Sequence, residues 1–391
     1  MSTFDHPNND FEHRFVKKSP KLLQEFFGTT DVMPLWIADM EFQVAQPITD
    51  EIKRIANREV YAYEFSAEDL PNAFVAWFKS RHGLALEPGN FIQVPNVLTG
   101  IAVLLRELSQ PGESVLIQTP VYHQFAKLIE GANRNIVRSP LKLVDGKYEM
   151  DFVDLEQQFS AQNISLMILC NPHNPVGRVW NGAEIQRLVA LADKHNVRII
   201  SDEIHCDIVY SGHRFNSILS QPQNQHIALL GSPSKTFGMQ SIANGYLHIR
   251  DKKTRAQINH TVETMYLNHG NALTAFATIA AYKHGGPWLD ELIAYLETTI
   301  AWVQEFIDSE LPEVTMHPVE GTYQIWLDFS GLGLSPDELM ELMVKKAKIG
   351  LAPGSWFDEN CPLCMRMNIA TPLSKIQTVF EQLKLAVRAS S

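Results

Sequence analysis

The sequence predicts an α/β protein in which a mainly parallel sheet lies between helices, joined to a smaller α+β domain. Three observations carry this expectation. Short apolar runs alternate with amphipathic helical stretches through the middle of the chain, the pattern of a sheet covered on both faces. The last third changes to a long helix, a strand and further helices, segregated rather than alternating. With 391 residues, the chain also exceeds what one core ordinarily serves.

Residues 114–118, 166–170, 198–201, 227–230 and 246–249 each read as a buried strand. Between the second and third, Asn181 and Glu184 have capping-box spacing, and Ile185, Leu188, Val189 and Ala192 recur on one helical face. Gly285-Gly286-Pro287 punctuates the chain before a long helix whose apolar face runs from Leu289 to Ile307. Residues 322–329 read as a strand. Ser335, Pro336 and Glu338 combine an N-cap, a first-turn proline and a capping-box acid, and Ser374 with Gln377 opens the final helix in the same way. The expected division is an N-terminal arm with part of the small domain over 1–48, a large domain over 49–284 and a small domain over 285–391.

Composition narrows the function classes. The chain is 45% hydrophobic and 20% charged, which suits a globular protein. Its net charge of −11 argues against broad binding to nucleic acid or an anionic membrane. The polar N-terminus has no apolar signal core and no run approaches a membrane span, so a cytoplasmic location is expected. Four cysteines are too few for a disulfide scaffold, and Cys361 with Cys364 forms a lone CxxC without a second pair. No metal site is expected.

Ligands of such sheets sit beyond the carboxyl ends of the strands, and four strand ends carry unusual polar clusters. After 114–118 comes Thr119-Pro120-Val121-Tyr122, offering an aromatic face to a planar ligand. After 166–170 comes Asn171-Pro172-His173-Asn174-Pro175-Val176-Gly177, where two prolines stiffen a turn and Gly177 permits a tight bend. After 198–201 comes Asp202-Glu203-Ile204-His205, an acid that is costly to bury unless it meets a cation. After 227–230 comes Gly231-Ser232-Pro233-Ser234-Lys235, hydroxyls suited to an anion beside a potentially nucleophilic amine. Taken singly, each has a blander reading: a proline loop, a salt bridge, a surface lysine, a core tyrosine.

The order decides the matter. Tyr122, Asn174, Asp202 and Lys235 follow one another, the third 28 positions after the second and the fourth 33 positions after the third. This arrangement resembles the fold-type I pyridoxal-phosphate enzymes, the aspartate aminotransferase superfamily, whose large domain holds a seven-stranded sheet. The resemblance implies that Lys235 carries pyridoxal 5'-phosphate covalently. It implies that Asp202 pairs with the ring nitrogen, Asn174 bonds the ring hydroxyl oxygen and Tyr122 stacks on the ring. The phosphate would lie at the helix start after Pro95-Asn96, on the Val97 and Leu98 N–H groups, with Ser232 and Ser234 adding hydroxyls. Tyr63 resembles the tyrosine that reaches the phosphate from a neighbouring subunit, which implies a homodimer with composite sites. Arg366 follows the pattern of the arginine that clamps a substrate carboxylate, with Ala38 and Asn174 beside the substrate.

A branch is also indicated. Many aminotransferases of the superfamily place an arginine eight residues after the lysine, where this chain has Ala243. Trp36-Ile37-Ala38-Asp39-Met40, the 202–205 quartet and Gly321-Thr322-Tyr323 resemble bacterial cystathionine β-lyases of the cystalysin-like group, with His205 near the ring hydroxyl. That implies β-elimination from an S-substituted L-cysteine to thiol, pyruvate and ammonia. Lys235 would move the proton, and Tyr122 or Tyr63 would assist the departing sulfur. An aminotransferase, and a regulatory protein on the same scaffold, are the alternatives.

Overall fold

The computed structural model describes residues 3–5, 14–62, 69–161, 163–221 and 227–389. Its central sheet is built from β1 (Phe91–Val94), β2 (Ser114–Ile117), β3 (Asn135–Arg138), β4 (Ile164–Cys170), β5 (Arg198–Asp202), β6 (Ile227–Gly231) and β7 (Gly245–Ile249). The spatial order is β1-β7-β6-β5-β4-β2-β3. Pairing is parallel from β6 through β3, whereas β7 runs antiparallel to both β6 and β1.

Successive side chains of a strand face opposite sides, so these strands feed two cores. Leu116, Met167, Leu169, Ile199 and Leu229 enter one, and Val115, Ile117, Leu166, Ile168, Ile200 and Leu230 the other. Because both faces are buried, β2, β4, β5 and β6 carry consecutive rather than alternating apolar residues. All five expected strands are present, their ends shifted by one or two residues. The two that the sequence reading omitted, β1 and β3, are the edges of the sheet. Asn135 and Arg138 of β3 are exposed, and this leaves too short an apolar run to stand out.

A second, antiparallel sheet contains β8 (Thr315–Met316), β9 (Gln324–Asp328), β10 (Ala352–Pro353) and β11 (Cys364–Asn368), in the order β8-β9-β11-β10. The strand expected over 322–329 begins only at Gln324. Gly321 and Thr322 donate their N–H groups to Gly177 and Ile208, and so cross towards the large sheet. The helix Gly286–Glu310 and both capping boxes, Asn181 with Glu184 and Ser335 with Glu338, form as expected. The final helix is a correction. It spans Leu373–Arg388 with the extended Pro372 at its cap position, so Ser374 sits in the first turn and caps nothing.

The segment 35–41 is pinned by the second sheet and the final helix. Asn368 on β11 donates its amide to Ile37 O and Asp39 O, both at 2.6 Å. Buried Lys17 pairs with Asp39 at 2.5 Å and Glu41 at 3.1 Å, and Glu41 also meets Lys375 at 2.9 Å. These ties hold Trp36 to Ala38 over the carboxyl ends of the central strands.

Candidate active site

Beyond those strand ends lies a cavity of about 840 Å³. Ala38, Val97, Leu98, Tyr122, Asn174, Asp202, His205, Ser232, Ser234, Lys235 and Arg366 all line it. Tyr63 lies outside the described residues. Side chains separated by more than 300 positions in the chain are thus brought to one place.

At the floor, Asp202 ends β5 opposite Cys170 of β4. Its carboxylate accepts the Ile204 N–H at 3.1 Å, and among the described residues it has no ion-pair partner. Burial pushes its pKa up to about 6, against the lowering effects of that bond and of Lys235. An acid desolvated in this way is matched by a protonated ring nitrogen, which would restore its charge.

Lys235 follows β6 in the turn Ser234–Phe237. Thr236 anchors this turn by donating to Asp207 at 2.7 Å, and Asp207 also accepts from the Trp77 indole at 2.9 Å. His82, Cys206 and Asp207 are grouped near enough to offer ligand atoms, but Asp207 is already engaged by these donors and by His82 at 2.8 Å. The Lys235 Nζ donates to Ala38 O at 2.5 Å. Burial lowers its pKa to about 8, opposed by Asp39 and reinforced by Arg366. A substantial neutral fraction is therefore present near pH 8, as a nucleophilic amine or base requires.

Asn174 lies in the turn after β4, which bends at Gly177 with φ +73°; a Cβ there would meet Val319 backbone at 3.4 Å. Its Oδ1 accepts from Arg366 Nη1 at 3.2 Å, so its NH₂ group remains for a ring oxygen. Arg366 Nη2 donates to Trp36 O at 2.6 Å, and its buried Nε has no partner. His205 is buried with Nδ1 unpartnered, and its pKa falls to about 3 through burial first, then Lys235 and Arg366. It is neutral at physiological pH. Burial raises the Tyr122 pKa, so its hydroxyl is a proton donor rather than a base.

The anion end is built from backbone. Asn96 caps the helix Val97–Leu108 by accepting from Thr99 N at 2.8 Å, and the Val97 and Leu98 N–H groups have no described acceptor. Gly245 makes this possible, because a Cβ there would come within 2.6 Å of Asn96 C and 2.8 Å of Val97 N. Ser232 donates its hydroxyl to Asn244 O at 2.7 Å and accepts from Ser234 N at 3.2 Å. Of the two predicted hydroxyls, Ser234 is therefore the better placed to donate to a phosphate. The orphaned acid, depressed lysine, free helix N-terminus and unpartnered guanidinium nitrogen together fit pyridoxal 5'-phosphate with an amino-acid substrate.

The profile of the Aminotransferase class I and II family matches residues 30–383. The chain belongs to this family. It is 36% identical to cystathionine beta-lyase PatB of Bacillus subtilis over 365 residues, covering 93% of this chain and 94% of that one. It is 31% identical to protein MalY of Escherichia coli, with 93% of each covered. Among solved structures, cystalysin from Treponema denticola, which contains a pyridoxal 5'-phosphate cofactor, superposes with a TM-score of 0.94 at 28% identity over 99% of each chain.

For this aminotransferase-family chain, sequence reasoning missed one side of the cavity. Val16, Leu22, Phe26, His123, Gln124, Lys127 and Trp356 also line it. One signal was available: Phe26 and Phe27 fall on different faces of the helix Pro20–Phe27, and Phe26 is exposed whereas Phe27 is buried.

Proposed function

We propose that this chain is a pyridoxal 5'-phosphate-dependent carbon–sulfur β-lyase. It converts S-substituted L-cysteines, L-cystathionine among the candidates, to a thiol, pyruvate and ammonia. The observation that carries this reading is the convergence of Lys235, Asp202, Asn174 and Arg366 on one cavity. The relatives named above support the lyase branch, as does Ala243 at the cavity wall where many aminotransferases have arginine.

When bound, the cofactor supplies a ring that withdraws electrons from the substrate Cα. Arg366 clamps the α-carboxylate through its guanidinium fork. The substrate's amino group would displace Lys235 from the cofactor, the freed Lys235 Nζ would take the Cα proton, and Asp202 would hold a proton on the ring nitrogen. Asn174 would donate its amide to the ring hydroxyl oxygen, with neutral His205 alongside. The Cβ–S bond breaks with its electron pair on sulfur, and Tyr122 donates the proton that makes the free thiol. The three-carbon remainder takes up water and leaves as pyruvate and ammonia.

We further place the chain in the cytoplasm as a homodimer, with Tyr63 contributed across the interface. All four cysteines are free thiols, and no helix among the described residues is long and apolar enough to cross a membrane. The division at 48/49 and 284/285 remains our reading of the domains; the parallel pairing of Met33–Pro34 with Ile349–Gly350 supports grouping the arm with the small sheet. The reaction is tested by incubating cofactor-loaded protein with a panel of S-substituted L-cysteines and no keto acid. Equimolar pyruvate, ammonia and thiol are expected. No release, with amino transfer once a keto acid is supplied, would make the chain an aminotransferase.

A further inference from the structure

Resting on this lyase reading, we propose that the cavity selects L-cysteine derivatives whose sulfur carries an apolar aromatic group, over those whose sulfur carries a second amino-acid head.

The polar anchors give the direction. Arg366 donates to Trp36 O at 2.6 Å and Lys235 to Ala38 O at 2.5 Å. The groups that hold the α-carboxylate and face Cα therefore flank residues 36–38, and a side chain leaving Cα meets the part of the cavity walled by Trp36. That part is an aromatic box. Ring centroids lie 5.0 Å apart for Phe26 and Trp36, 5.3 Å for Phe26 and Trp356, and 6.1 Å for Trp36 and Trp356. His123 extends the wall, 5.9 Å from Trp356. The Trp36 indole N–H is already committed to Lys17 O at 3.1 Å, so this residue offers the ligand an apolar face and no donor. Phe26 is 40% exposed at the rim, where an incoming aryl group would cover it.

Charge points the same way. Among the described residues lining the cavity, Asp202 is the sole acid, and it lies at the floor on the strand end. A distal amino-acid head brings an ammonium as well as a carboxylate. Lys127 at the wall suits the carboxylate, but the ammonium finds no anion among the described residues that line this cavity, Asp358 and Glu359 lining a neighbouring one instead. Burial together with Arg366 and Lys127 also lowers the His123 pKa to about 4, which leaves it a neutral wall at working pH.

Binding is measured on the cofactor-loaded protein with two analogues that lack the labile sulfur. L-homophenylalanine stands for an S-aryl cysteine and 2,7-diaminosuberate for cystathionine; the readout is quenching of tryptophan fluorescence. Homophenylalanine is expected to bind at least about tenfold more tightly, the discrimination an apolar pocket commonly achieves. Equal affinities, or the reverse order, would overturn the proposal. Trp356→Ala is expected to move the affinity ratio towards one by weakening homophenylalanine, while retained diaminosuberate binding reports a folded site; an unchanged ratio would also count against it. Neither analogue needs to react. If S-phenyl-L-cysteine gives no pyruvate while the affinity ratio holds, the lyase reading fails and the selectivity stands; pyruvate release with a ratio of one has the opposite meaning.

Discussion

The two ends of the cavity are built by different means. At the floor, polar side chains sit on the tips of β4, β5 and β6 or in the turns just after them, held by the most deeply buried part of the sheet. At the mouth, the walls are aromatic and come from an N-terminal helix, the 36–38 segment and the loop before β11. Rigid strand tips set positions to within the tolerance that proton transfer and charge stabilisation need. Apolar walls on connecting segments tolerate change and differ readily between relatives. On our proposals, the floor sets the reaction and the mouth sets which substrate enters.

The largest test of this division is at the floor. Lys235→Ala should lower the rate of pyruvate formation by about 10³-fold or more, as expected for loss of a base that is also the covalent anchor. Cofactor absorbance should show that noncovalent binding persists. Retained full activity would remove the floor from the mechanism. A smaller effect is expected from Arg366→Lys, which keeps the charge and loses the fork. We expect kcat/KM to fall by about 10- to 100-fold, mostly through KM, because one charge-assisted bond is lost. Steady-state kinetics over a substrate series would show it, and an equal loss for every S-substituent is the pattern that separates Arg366 from the mouth.

The third test is read in stability rather than in rate, and it concerns the frame that carries the mouth. Burial opposes ionisation of Glu41, but Lys17 and Lys375 outweigh it and lower its pKa from 4.5 to about 2. Ionised Glu41 therefore contributes its full stability above about pH 4.5, and that contribution is lost as the pH falls towards 2. Glu41→Gln should cost about 3 kcal/mol at pH 7 by denaturant unfolding, at 1.36 kcal/mol per pKa unit. The gap from the parent protein should narrow as the pH is lowered through that window. A constant gap would show that Glu41 acts through packing alone.

The same contrast explains what the sequence revealed. Asp202 was legible because a polar residue directly after a buried apolar run is conspicuous, and Lys235, five residues past its run, because the order Tyr122, Asn174, Asp202, Lys235 resembles that of a known family. Phe26, Trp36 and Trp356 were not legible as a group. Each is an ordinary aromatic in its own neighbourhood, and their proximity depends on the pairing of Met33–Pro34 with Ile349–Gly350, which no local pattern announces. Edge strands β1 and β3 escaped for a related reason, since a strand with one free edge needs less apolar sequence. Ser374 misled because its spacing to Gln377 mimics a cap, whereas Pro372 had already started the helix.

The central claim is that Lys235, in the turn after β6, is the residue that carries the cofactor. Borohydride reduction of the loaded protein, followed by proteolysis and mass mapping, tests it directly. The account predicts the added mass of reduced pyridoxal phosphate on the peptide containing Lys235, and none on any other lysine. Stoichiometric label elsewhere, with Lys235 unmodified, would contradict it.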